Sequence, residues 1–143
     1  MLEIVGLKLS MANVEKKSDR IPRIVDVSLD IEKVYAHTDG SLAVEFLYKV
    51  EYGPDCSTLK VGGLGFFRGD SELVGRAITE FRKSKKLSGE LQMMISNPIG
   101  AEVGLNSIFI LRPFGIMPHF LPPPIVTKEK IGEGATKNSK PKK

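Results

Sequence analysis

The stretch Leu42-Ala43-Val44-Glu45-Phe46-Leu47-Tyr48-Lys49-Val50-Glu51-Tyr52 decides the fold class. Leu42, Val44, Phe46, Tyr48, Val50 and Tyr52 fill its even positions, while Glu45, Lys49 and Glu51 occupy odd ones. A period of two sustained this long is the pattern of a strand with one buried face, and β-branched and aromatic residues suit that surface. Asp39-Gly40 before it and Gly53-Pro54-Asp55 after it are turn signals, so short connections lead to neighbouring strands.

Working outward, residues 23 to 33 repeat the pattern. Val25, Val27, Leu29 and Ile31 face one way, and Asp26, Ser28, Asp30 and Glu32 face the other, as in a half-buried antiparallel strand. Residues 2 to 11 are a further strand, with Val5, Leu7, Leu9 and Met11 on one parity and Ile4 off it. After the long strand, residues 58 to 67 form a fourth, with Leu59, Val61, Leu64 and Phe66 predicted inward. Between them Gly62-Gly63 shifts the parity by one, which signals a bulge or a close backbone approach.

Helical spacing follows Gly69-Asp70. Leu73, Val74, Ala77, Ile78 and Phe81 form an apolar stripe, Asp70 or Ser71 can cap its start, and Lys83, Lys85 and Lys86 suit its C-terminal end. A second helix is expected from Pro98, where proline is tolerated in a first turn, to about Arg112. Periodicity leaves residues 91 to 95 open between a short helix and a strand. Four strands followed by two helices indicate an α+β domain: a four-stranded antiparallel sheet with two main helices packed on one face.

The chain has 143 residues, 41% hydrophobic and 27% charged, with a net charge of +4. One domain of ordinary globular composition is expected, and a wholly disordered chain is excluded. Residues 127–143 carry six lysines against Glu129 and Glu133, so the whole excess charge sits there and residues 1–126 are neutral. Composition predicts a domain over 1–126 and a disordered Lys-rich tail over 127–143. The single cysteine, Cys56, allows no internal disulfide, which suggests a reducing compartment. With no basic segment leading into a long apolar run at the N-terminus, and with polar interruptions in residues 91–111, the expectation is a soluble, cytoplasmic protein without membrane insertion.

The sequence offers no catalytic constellation. His37 reads as a solvated hairpin residue, and His119 as a histidine near apolar surface that packs or bonds to backbone. No base stands near Cys56 in sequence, and Gly62-Gly63-Leu64-Gly65 lies in a strand pattern without the Lys-Ser or Lys-Thr of a phosphate loop. No cofactor, metal or enzymatic activity is expected. What stands out is apolar: residues 91–95 (Leu-Gln-Met-Met-Ile) and 114–126, which include Phe114, Ile116, Met117, Phe120, Leu121, Ile125 and Val126, are rich in large apolar side chains for connecting chain. Such residues either join the core or line an exposed groove, and flexible thioethers suit the groove.

Over residues 2 to 126 the order of these features resembles the SecB family of protein-export chaperones. The landmarks are Leu59-Lys60-Val61-Gly62-Gly63-Leu64-Gly65-Phe66-Phe67, then Asn97-Pro98-Ile99 opening a helix that contains Ser107, then Gly115-Ile116-Met117-Pro118 and Leu121-Pro122-Pro123. The resemblance implies a homotetramer, a dimer of dimers, that binds unfolded polypeptide clients in hydrophobic grooves without cofactor or catalysis. By position it implies Met11 and Val14 in the crossover, and Met93, Met94, Phe120 and Leu121 near the second helix, as client-binding residues. Lys60 stands where the family's fourth strand tends to carry an acid, and the tail is basic; docking to an export motor is therefore doubtful, while a dedicated client such as an antitoxin fits. A nucleic-acid or ribosome-associated adaptor acting through the tail is the alternative.

Overall fold

The structure is a computed structural model and describes residues 1–119. The element order is β1 (Glu3–Lys16), β2 (Ile24–Ala36), β3 (Leu42–Gly53), β4 (Ser57–Arg68), α1 (Ser71–Ser84), α2 (Gly89–Leu111) and a 3-10 turn (Arg112–Phe114). The four strands form one antiparallel sheet in the order β1-β4-β3-β2, so the α+β class and the four-stranded sheet are as the sequence indicates. Consecutive hairpins join β2, β3 and β4. The connection from β1 to β2 crosses the end of the sheet.

The decisive stretch is the centre of the core. Its even positions, Leu42 to Tyr52, are all buried and face Leu59, Val61 and Phe67 of β4 on the same side of the sheet. Both helices deliver their apolar stripes to this cluster, α1 through Val74 and Ala77, and α2 through Leu91, Ile95, Ile99, Val103 and Leu111. The Arg76 guanidinium reaches Glu90 at 3.3 Å, and the Glu80 carboxylate accepts from the Ser88 amide at 2.9 Å, fixing the turn between the helices.

Four expectations need correction. First, α2 begins at Gly89 and runs through Pro98, so residues 91–95 are helical and Pro98 lies inside. Proline in a helix interior costs about 3 kcal/mol. Here Leu91, Ile95, Ile99, Val103 and Leu111, with Ser107 between the last two, recur at every fourth position and are fully buried, a largely apolar seam along six turns that outweighs one missing hydrogen bond.

Second, β4 keeps its parity. It pairs with β3 without a register shift, and Gly63, Gly65 and Phe67 continue the inward row while Leu64 and Phe66 turn to the other face. The irregularities belong to β1, between Ile4 and Gly6 and between Leu9 and Met11. The glycines mark close approaches instead. A Cβ on Gly63 would fall onto the Lys8 carbonyl oxygen, and one on Gly65 would lie 3.2 Å from Ile99 Cδ1, so the bare strand lets β1 and α2 come close.

Third, β1 continues to Lys16, which places Met11 and Val14 in a strand rather than in the crossover. Every residue from Ala12 to Lys16 is paired with β4, so the crossover proper is only residues 17–23. Fourth, β2 extends to Ala36, and its inward row is uneven: Leu29, Ile31 and Val34 are partly buried, while Val25 and Val27 are exposed by 42% and 36%. The helices do not reach the first half of β2, and this leaves the opening described next.

Candidate apolar binding groove

Three pieces of chain enclose a groove of about 710 Å³, a size ordinary for binding sites. Its floor is Val25 and Val27 of β2 with Tyr52, Cys56 and Ser57 at the adjacent hairpin. One wall is the crossover, with Arg20, Ile21 and Pro22; the other is the exit from α2, with Ile116, Met117, Pro118 and His119. Ile21 and Met117 form an apolar rim, 90% and 76% exposed.

The exit wall is anchored from within. Ile116 is buried in the core, and the His119 ring is buried between two tyrosines of β3. Tyr48 Oη lies 2.7 Å from His119 Nε2, and Tyr52 Oη lies 3.2 Å from Nδ1. Burial pushes the imidazole below its ordinary value of 6.5, so at neutral pH it carries one N–H and one lone pair. One tyrosine therefore donates to the ring and the other accepts from it. Burial, with Tyr52 nearby, pushes the Tyr48 phenol up to about 12, and burial also raises that of Tyr52. All three groups are consumed in holding the wall.

The crossover wall is tied in at its two ends. Lys16 Nζ donates to the Phe114 carbonyl at 3.0 Å and pairs with Asp19 at 2.8 Å, a contact that lowers the Asp19 carboxyl below its ordinary range. The Arg20 guanidinium donates to the Pro54 carbonyl at 3.2 Å, and the Lys17 and Ser18 amides both donate to the Cys56 carbonyl. The Cys56 thiol is buried and donates to the Pro54 carbonyl at 3.4 Å. Among the described residues no group of three His, Cys, Asp or Glu is placed to hold a metal ion. The polar atoms of the groove are thus largely engaged in shaping it, and the free surface is apolar. Such a site can hold a flexible apolar segment; it offers few directed groups to define a small molecule.

The residues singled out from the sequence fall elsewhere or beyond. Met11 lies on the outer face of the sheet near Gly62 and Leu47, while Val14 points to the opposite, helix-bearing face opposite Leu59. Met93 is 38% exposed in the first turns of α2, and Met94 packs against the core. None of these four lines the groove. Phe120 and Leu121 follow His119 in sequence and lie outside the described residues. Of the two apolar connecting segments, 114–126 supplies the exit wall through its first residues. Ile21 and the Val25–Val27 pair were missed as site residues. Ile21 is an apolar residue alone in the polar run Ser18-Asp19-Arg20, and that was the available signal.

A second apolar surface belongs to α2. Apart from its buried seam, Leu105, Ile108 and Phe109 are exposed, Phe109 by 72%, and Phe114 follows just beyond. By length and composition the segment Gly89–Phe114 could cross a membrane; its buried seam packs on the sheet. A helix apolar on most of its circumference is usually covered on most of it.

No protein-family model and no curated protein sequence matches the chain. Among solved structures it is similar to the Mycobacterium tuberculosis Rv1957 SecB-like chaperone, determined in complex with a ChAD peptide from the Rv1956 HigA1 antitoxin. The TM-score is 0.51 at 12% identity, over 87% of this chain and 88% of that one. The two share a fold.

Proposed function

We propose that this protein is a SecB-like molecular chaperone that binds unfolded polypeptides through the groove between the crossover and the exit from α2. The observation that carries this reading is the groove itself: an apolar trough with an exposed rim at Ile21 and Met117, whose polar atoms are spent on its own walls. It stands on a fold shared with a chaperone whose solved structure contains a peptide. An apolar trough with few directional contacts selects exposed hydrophobic sequence rather than one motif. The outer stripe of α2 favours assembly of several copies, with the homotetramer as the expected form. A dedicated client fits the basic tail better than docking to an export motor does. Phe120, Leu121 and Met93 remain proposed contacts beside the groove residues.

The test is the light-scattering time course of a chemically denatured protein diluted into buffer with stoichiometric amounts of this chain. Suppressed scattering is expected. Val27→Asp and Met117→Asp weaken the effect without loss of fold, because both side chains are exposed, whereas Thr79→Asp on the outer face of α1 leaves it intact. Unchanged aggregation with the unmodified protein overturns the reading.

A further inference from the structure

Among the described residues the first half of β2 is an edge without a cover. There β2 pairs only with β3, and the five residues from Ile24 to Ser28 are all exposed, with burial beginning at Leu29. An edge strand presents a row of backbone N–H and C=O groups ready to pair with another chain. Here Ile24, Val25 and Val27 are exposed by 59%, 42% and 36%, and Val25 and Val27 also form the groove floor.

The charge on the other face of the same strand says what kind of chain fits. Asp26 stands directly opposite Glu51 of β3, a like-charged cross-strand pair that costs stability. Lys49 turns to Asp30, at 3.5 Å, and among the described residues neither Asp26 nor Glu51 has an ion-pair partner. A second copy of β2 is a poor occupant, since antiparallel pairing centred on Ser28 would set Asp26 against Asp30 twice. A strand with a cation beside Asp26 would instead relieve the repulsion already present.

We infer that the edge of β2 at residues 24–28 accepts an unfolded client segment as a fifth strand, its alternate apolar residues turned toward Val25 and Val27 in the groove and a Lys or Arg set beside Asp26. This rests on the chaperone reading and adds to it a binding mode: backbone hydrogen bonds supply sequence-tolerant affinity, and the alternation supplies preference.

The experiment uses the full chain and three fluorescent nine-residue peptides: alternating Val and Lys, the same sequence N-methylated at alternate amides, and alternating Val and Glu. Anisotropy titrations are expected to show binding of the Val-Lys peptide, with N-methylation weakening it about tenfold through the loss of two or three hydrogen bonds. Asp26→Lys should weaken the Val-Lys peptide about fivefold and strengthen the Val-Glu peptide by a similar factor. Amide exchange within residues 24–28 should slow at about half the positions, those facing the added strand. Equal binding of the methylated and unmethylated peptides, or no effect of Asp26→Lys, overturns strand addition while suppression of aggregation leaves the chaperone reading standing. Failure of every peptide to bind, together with unaltered aggregation, overturns both.

Discussion

Replacing Tyr48 by Phe tests how the exit wall is held. Tyr48 is 1% exposed, and its hydroxyl is 2.7 Å from the buried His119 ring, so Tyr48→Phe leaves Nε2 facing an apolar edge without its partner. A buried polar atom stripped of its partner costs about 1–3 kcal/mol. His119→Phe is expected to cost at least as much, since it strands both tyrosine hydroxyls, one of them on a residue 4% exposed. The same physics predicts strong non-additivity. The triple variant Tyr48→Phe, Tyr52→Phe, His119→Phe removes every polar atom of the cluster and keeps its volume, so it should recover most of the lost stability, because apolar replacement of both partners is nearly neutral. Urea unfolding followed by circular dichroism, comparing midpoints at constant slope, measures all three. A triple variant as unstable as the sum of its parts would refute the account of His119 as a satisfied buried clip and point to a packing role alone.

Further outcomes are expected elsewhere. The folded state holds His119 less basic than the unfolded chain does, so its contribution to stability is fully present above the unfolded value near 6.5 and is lost as pH falls from there toward the lower folded value; unfolding midpoints between pH 7 and 5 should show this limb in the native chain and lack it in the triple variant. Gly63→Ala should destabilise by about 1–3 kcal/mol, because the new methyl meets the backbone of Lys8 and Leu9, neither of which can swing aside. Gly100→Ala, in α2 with open space around it, should stabilise by about 0.5–1 kcal/mol, and calorimetry of the two variants side by side checks the contrast. Phe109→Ser with Leu105→Ser should lower the mass measured by light scattering toward that of a single chain, and an unchanged mass would remove α2 from the assembly interface. Deleting residues 127–143 should abolish any salt-sensitive RNA binding and leave suppression of aggregation as it was; loss of suppression instead would place the tail in client capture.

The sheet was legible because its central strand obeys one rule without exception: every even residue from Leu42 to Tyr52 is apolar, and every one is buried. The first helix was legible for the same kind of reason, a narrow stripe against charged flanks. Legibility failed where two signals compete. Pro98 is a strong local sign of a helix start, yet the seam from Leu91 to Leu111 is a stronger non-local one, and only packing against the sheet reveals the seam as continuous. Gly62-Gly63 signalled an irregularity, and the irregularity was real, but it lies in the partner strand that comes close to Gly63 rather than in β4. The groove was half legible. Residues 114–126 stood out as too apolar for a connection, whereas Val25 and Val27 could not be distinguished from Leu29 and Ile31, because periodicity assigns a face and says nothing of how far the helices extend over it. The clip at His119 was out of reach: its two partners lie 71 and 67 residues away in sequence and read simply as core aromatics.

The strand order has a consequence in time. Among the described residues every strand partner of β1 lies in β4, from Glu3 against Arg68 to Lys16 against Ser57, so the first strand made is the last to find its place. At ribosomal rates of about 5–20 residues per second it waits roughly 3 to 10 s with an unsatisfied edge on both sides, while β2 and β3 can close their hairpin at once. Folding is therefore paced by a non-local closure, and for that interval the nascent chain is itself an extended segment with apolar residues in alternation.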